Sequence, residues 1–189
     1  MLNQVNCRGI GSRLIRTGGV NISRAPIEED PVNDLQYAQD TKWMRCALDC
    51  ARRAYSTEEV PIGAVLVRNE QIIGEGFNQT IRNLDPTSHA EIMAIRSAAE
   101  NIGNYRLSDT TLYVTIEPCM MCLGAIIHAR VERLVFGAQE PKAGVLKSHP
   151  VFDDDFLNHK PFFLILIIFD VIQLKLTLKL KPPHNQFQI

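Results

Sequence analysis

Along the middle of the chain, apolar positions recur with two periods, and each period predicts a different element. Met44, Ala47, Leu48, Ala51 and Tyr55 return at steps of three and four, the spacing of a helix that buries one face. Thr41 stands where a side chain caps such a helix, so a helix is predicted to begin there and to pack on a sheet. Residues 64–67 and 71–74 are short apolar runs separated by Asn69 and Glu70, the pattern of a β-hairpin with a two-residue turn. A polar loop through Asn78, Asp85 and Pro86 follows. Ser88 then takes the cap position of a second helix, in which Ala90, Ile92, Met93, Ala94, Ile95, Ala98 and Ala99 are mostly strong helix formers at buried spacing.

Residues 111–115 are β-branched or aromatic and read as a strand. The turn Glu117, Pro118, Cys119 leads into a helix from Cys119 to about Ala129, and residues 131–136 form a further strand. A strand, helix, strand unit makes two parallel strands with a right-handed crossover. The loop at the carboxyl end of the first strand is where α/β proteins place their sites. The expected class is therefore α/β, with helices opening at both segments that carry chemistry. No internal repeat or low-complexity tract interrupts it.

Composition narrows the class without changing it. With 46% hydrophobic and 22% charged residues, the chain matches a soluble globular protein and excludes disordered and fibrous classes. A net charge of -1 excludes wholesale basic wrapping of nucleic acid, so a polyanionic partner must be met by a local patch. Residues 1–27 hold Arg8, Arg13, Arg16 and Arg24 with no acidic residue, which fits an organellar transit peptide or an unstructured extension. Gly9, Gly11, Gly18 and Gly19 favour the extension. The apolar run 162–169 ends at Asp170 and is too short for a bilayer, which takes roughly 18 residues or more.

Two short motifs carry the chemistry. Cys119 and Cys122 are three apart at a helix start, so both sulfurs face one side, and the helix N-terminus favours their thiolates. A lone CxxC is also the mark of a redox pair or half of a structural zinc site. His89 opens the other helix and adds a third ligand. Three ligands leave a fourth tetrahedral position for water, which is the mark of a catalytic zinc. Glu91 follows two residues later, and it reaches the metal only if His89 lies at the irregular start of the helix. Such a carboxylate can accept a proton from the activated water and return it to the substrate, serving as base and then as acid. His128 lies late in the helix of the cysteines and reads as packing or a subunit contact. Cys46 and Cys50, one turn apart, read as small buried residues, and Cys7 as a bystander.

HxE with PCxxC is the signature of the zinc deaminases that act on flipped bases. The stretches 60–67, 74–78, 85–94, 105–107 and above all 111–138 (TLYVTIEPCMMCLGAIIHARVERLVFGA) resemble the bacterial type of tRNA-specific adenosine deaminase, a family within the cytidine and deoxycytidylate deaminases. The resemblance spans about residues 37–147. It implies a three-layer α/β/α fold with a central mixed sheet, one zinc per chain on His89, Cys119 and Cys122, Glu91 as proton shuttle, and Asn78 and Ala90 at the substrate. It further implies a homodimer, a tRNA anticodon loop as partner, inosine made at the wobble position, and a cytoplasmic setting. The expected domains are 1–36 as an extension, 37–160 as the deaminase and 161–189 as an atypical end.

The chain departs from that family after Lys142, where Ala143, Gly144, Val145 and Leu146 replace the usual small residues. Beyond His159 the similarity ends, and Leu174, Leu176, Leu178 and Leu180 alternate with Lys175, Thr177, Lys179 and Lys181 at a strand period. Arg130, Arg133, Lys142, Lys147 and Lys160 are candidate phosphate contacts. Two other functions share the motifs: a deaminase of free guanine, cytosine or nucleosides, and a zinc-stabilised RNA-binding subunit without activity. Glu91 argues against the second, since a structural metal needs no acid beside it.

Overall fold

The computed structural model describes residues 31–148, 150 and 163–166. The first helix, α1 (Pro31–Ser56), begins ten residues before Thr41. Thr41 therefore caps nothing. It lies inside the helix with its hydroxyl buried and, among the described residues, unpartnered. The reason is local: Pro31 is suited to the first helical position, and Leu35, Gln36, Ala38 and Gln39 propagate the helix into the expected start.

Next come β1 (Gly63–Arg68) and β2 (Gln71–Phe77), an antiparallel hairpin as expected, although β2 runs three residues further. Asn69 and Glu70 both take positive φ, 50° and 59°, the two left-handed turn residues that match the twist of a hairpin. A one-turn helix, α2 (Thr80–Asn83), precedes α3 (Ala90–Ile102). Then β3 (Thr111–Ile116), α4 (Met120–Ala129) and β4 (Arg133–Ala138) form the crossover unit, with β3 and β4 parallel.

The strand β4 starts two residues later than its pattern predicts. Arg130 ends α4 in the left-handed conformation, and the amides of Glu132 and Arg133 both donate to the Thr110 carbonyl, so pairing begins only at Arg133 with Thr111. A fifth strand, β5 (Phe163–Leu166), pairs parallel with β4 and was not expected. Continuous apolar runs are typical of parallel strands, and run length alone does not mark them. The expectations for residues 1–27 and 174–181, together with Cys7 and Lys160, lie outside the described residues. No helix among the described residues is long and apolar enough to cross a membrane.

The sheet order is β2-β1-β3-β4-β5, mixed in direction as the family resemblance implies. Alternation along the strands sorts side chains to two faces. Val65, Val67, Tyr113 and Val135 meet Trp43, Met44, Ala47 and Cys50 of α1. Ala64, Leu66, Leu112, Val114, Leu134 and Phe136 meet Ala90, Ala94 and Ala98 of α3 and Leu123 and Ile126 of α4. The result is three layers, helix, sheet and helices.

Two contacts set the spacing of those layers. A Cβ on Gly74 or Gly76 would collide with the carbonyl oxygens of Ala94 and Ala90, so α3 rests directly on the backbone of β2. On the α1 side, Arg133 makes a bidentate pair with buried Asp40 (2.7 and 2.6 Å), and the Tyr113 hydroxyl donates to the same carboxylate at 2.8 Å. Arg133, a candidate phosphate contact by sequence, is thereby committed to the interior.

Candidate active site

The helices α3 and α4 both start at the same edge of the sheet, each with a candidate ligand as its N-cap residue. His89 and Cys119 take extended backbone there (φ, ψ of -75°, 157° and -78°, 172°). Ser88, expected as the cap, sits one residue too early. Its hydroxyl instead donates to Asp85 at 2.9 Å and accepts from Asn83 at 3.2 Å. The first turn of α3 is capped from outside: Asn78 Oδ1 accepts the Ala90 amide at 2.9 Å. Ala90, expected at the substrate, has its N–H already engaged there and is fully buried.

Because His89 is extended and Glu91 helical, two residues that cannot share a helical face converge. His89 Nδ1 lies 3.7 Å from Cys119 Sγ and 3.5 Å from Cys122 Sγ. Zinc bonds of about 2.0 Å to nitrogen and about 2.3 Å to sulfur, opened at a tetrahedral angle, place those atoms about 3.5 Å apart. The three ligand atoms therefore fit one zinc ion, and among the described residues they are the one group of histidines, cysteines and acids gathered this way. His128 is exposed in the last turn of α4, away from the cluster.

The electrostatics of the cluster follow from its packing. A hydrogen bond from Cys122 holds the Cys119 thiol down at about 4, helped by His89, while that bond and burial push Cys122 up. The Cys119 hydrogen bond raises His89. Burial raises the Glu91 carboxyl, and its exposure of 3% removes it from bulk water. A raised carboxyl pKa beside a metal site is what a group needs in order both to take and to return protons near neutral pH.

Two buried acids that the motifs did not single out frame this site. Glu117, at the end of β3, accepts the amides of Glu140, Leu146, Lys147 and Ser148 and the Ser148 hydroxyl. Burial alone would raise it, yet these donors bring it down to about 2. The segment they tie lies against the ligand loop, with Val145 N bonded to the Pro118 carbonyl and Gly144 bridged to Cys119. Glu59 accepts the Arg82 amide at 2.8 Å and the Thr80 hydroxyl at 3.2 Å, fixing the loop after Asn78. The available signal for Glu117 was a carboxylate set between Ile116 and Pro118 in an otherwise apolar stretch, whereas Glu59, which follows Thr57 and Glu58, carries no such mark.

Residues 37–138 match the cytidine and deoxycytidylate deaminase zinc-binding region. A tRNA-specific adenosine deaminase of Haemophilus influenzae is 55% identical over 122 residues, 64% of this chain and 70% of that protein. The enzyme of the same name from Agrobacterium fabrum is 50% identical over 111 residues, covering 59% and 73%. A solved structure from studies of A-to-I editing by tRNA:A34 deaminases at the wobble position of transfer RNA is 44% identical, with a TM-score of 0.63, over 67% of this chain and 98% of that one. The guanine deaminase of Bacillus subtilis is 29% identical, with a TM-score of 0.52, over 77% and 97%.

Proposed function

Because this chain belongs to the cytidine and deoxycytidylate deaminase family, and within it to the tRNA-specific adenosine deaminases, we propose that His89, Cys119, Cys122 and Glu91 carry a zinc-dependent deamination. The reaction is hydrolytic conversion of adenosine to inosine, with release of ammonia, at the wobble position of a tRNA anticodon. The observation that carries the residue assignment is the buried carboxylate of Glu91 against a three-ligand cluster of zinc-compatible geometry.

When bound, zinc supplies Lewis-acid activation of a water molecule near neutral pH. Glu91 would take one proton from the attacking water and deliver it to the ring nitrogen beside the carbon that the water oxygen joins. The second proton of that water would then pass through Glu91 to the amine, which leaves as ammonia when its bond to that carbon breaks, so one carboxyl group serves as base and then as acid. With Asn78 Oδ1 held by the Ala90 amide, its Nδ2 is the group left to donate to the base. Glu117 keeps the wall beside Cys119 in place.

The higher identity to the adenosine enzymes favours a polynucleotide substrate over a free base. Of the cations singled out as candidate phosphate contacts, Arg130, Lys142 and Lys147 are exposed. The family resemblance supports a homodimer and a cytoplasmic location, the first of which light scattering on the purified protein tests. The function is tested by incubating the protein with an anticodon stem-loop bearing a wobble adenosine, alongside free adenosine, cytidine and guanine. Inosine in the stem-loop is the expected product, with weak, salt-sensitive binding. Faster turnover of any free compound overturns the tRNA assignment.

A further inference from the structure

The loop joining Asn78 to His89 presents apolar side chains that the fold does not use. Its two ends are tied together at the site, where Gln79 N donates to the Ser88 carbonyl at 3.0 Å and Asn78 Oδ1 accepts the Ala90 amide. Its shoulders are also fixed: Glu59 clamps Thr80 and Arg82 on one side, and Asp85 accepts the Thr87 amide, the Thr87 hydroxyl and the Ser88 hydroxyl on the other. Between these anchors, Ile81 is 54% exposed and Leu84 is 91% exposed, the highest value among the exposed large hydrophobic residues described.

Leu84 stands out on a second count. Its backbone is left-handed, φ 50° and ψ 37°, a conformation that glycine or asparagine adopts far more readily than a branched apolar residue. A leucine there gains nothing from burial and is disfavoured by its backbone, so folding does not explain it. It is one bond along the chain from Asn83 and Asp85, both of which bond Ser88, the neighbour of the ligand His89. Arg82, exposed on the same turn, adds a positive charge.

We propose that Leu84, with Ile81 beside it, is an apolar wedge that packs against the base next to the flipped adenosine and keeps the RNA loop open during deamination. The inference rests on the RNA-loop reading above. An adenosine still joined to its strand brings its neighbours to the mouth of the site, and extruding it leaves those neighbours unstacked. Apolar side chains inserted beside unstacked bases replace the lost contact surface, a use of leucine and isoleucine known among nucleic-acid proteins generally. The Arg82 charge complements the phosphates that flank the wedge, and the Glu59 clamp makes the platform rigid before RNA arrives.

The test compares the full chain with Leu84→Asn, which suits the left-handed backbone but removes the apolar surface, and with Leu84→Met, which keeps it. Substrates are an anticodon stem-loop and the same stem-loop with an abasic nucleotide beside the wobble adenosine. Inosine formation and binding by fluorescence anisotropy are both measured. Leu84→Asn is expected to raise KM and the dissociation constant about ten-fold, with a far smaller fall in kcat and no loss of thermal stability. Leu84→Met should restore both, and on the abasic substrate the variants should converge. Equal KM for wild type and Leu84→Asn, or the same loss on the abasic substrate, overturns the wedge alone. A wild-type protein that forms no inosine from the stem-loop overturns the tRNA reading and the wedge with it.

Discussion

Glu117 accepts hydrogen bonds from both the amide and the hydroxyl of Ser148, thirty-one residues further along the chain. With the amides of Glu140, Leu146 and Lys147 on the same carboxylate, it closes the segment beside Cys119 onto the end of β3. Glu117→Gln places amide hydrogens against amide donors. It should destabilise the protein by roughly 2 to 4 kcal/mol in urea unfolding. Hydrogen exchange should then accelerate across residues 140–148 while α1 stays protected. An unchanged exchange pattern there would remove Glu117 from this role.

Glu91→Gln preserves shape but cannot accept a proton. Zinc content and melting temperature should match wild type, and turnover should fall by about a hundred- to ten-thousand-fold, at the severe end because one group does both proton steps. Near-normal inosine formation with zinc bound would mean that another group is the base.

Elemental analysis should find one zinc per chain, held by His89, Cys119 and Cys122. Replacing both cysteines with serine should abolish it, since hydroxyls are poor zinc ligands beside thiolates. Equal retention of zinc in that double variant would relocate the metal.

The buried pair of Asp40 and Arg133 should behave as a unit. Arg133→Met leaves a buried carboxylate uncompensated and should cost about 3 to 5 kcal/mol. Adding Asp40→Asn should recover a substantial part of it. Additive losses in the double variant, measured by denaturant unfolding, would contradict the coupling.

Burial first, and then the Asp40 carboxylate, raise the Tyr113 phenol above its ordinary value of 10.0. The folded chain thus keeps a proton that the unfolded chain loses above about pH 10. By linkage, this contribution to stability is complete below that pH and declines as pH rises beyond it. Tyr113→Phe should show a shallower loss of stability between pH 10 and 11.5, and parallel profiles would refute the assignment.

The sequence made the crossover unit and the ligand cluster legible because both rest on local signals. The 111–115 pattern, PCxxC at a helix start and HxE at another each determine their own geometry, and only the meeting of the two helices needed the sheet. What escaped was decided by partners distant in sequence. Thr41 fits a cap until residues 31–40 are seen to be helical already, and Ser88 fits one until Asp85 and Asn83 are seen to hold it. Arg133 looks like a surface cation because nothing near it announces Asp40, ninety-three residues earlier. Glu59 and Glu117 escape because the amides and hydroxyls they hold belong to residues 21 to 31 positions further along the chain.

The seating of α3 on Gly74 and Gly76 bears on how this scaffold diversifies. With no atom to spare between the helix and the edge strand, the position of Glu91 relative to the zinc ligands cannot drift without unseating the helix from end to end. In the surrounding loops the tips, residues 81–84 and 141–143, are exposed, while their shoulders are tied to Glu59, Asp85 and Glu117. Lineages that acquire new substrates on this architecture should therefore inherit the helix register and the tied shoulders and change those tips, which alter what is admitted and not what is done to it.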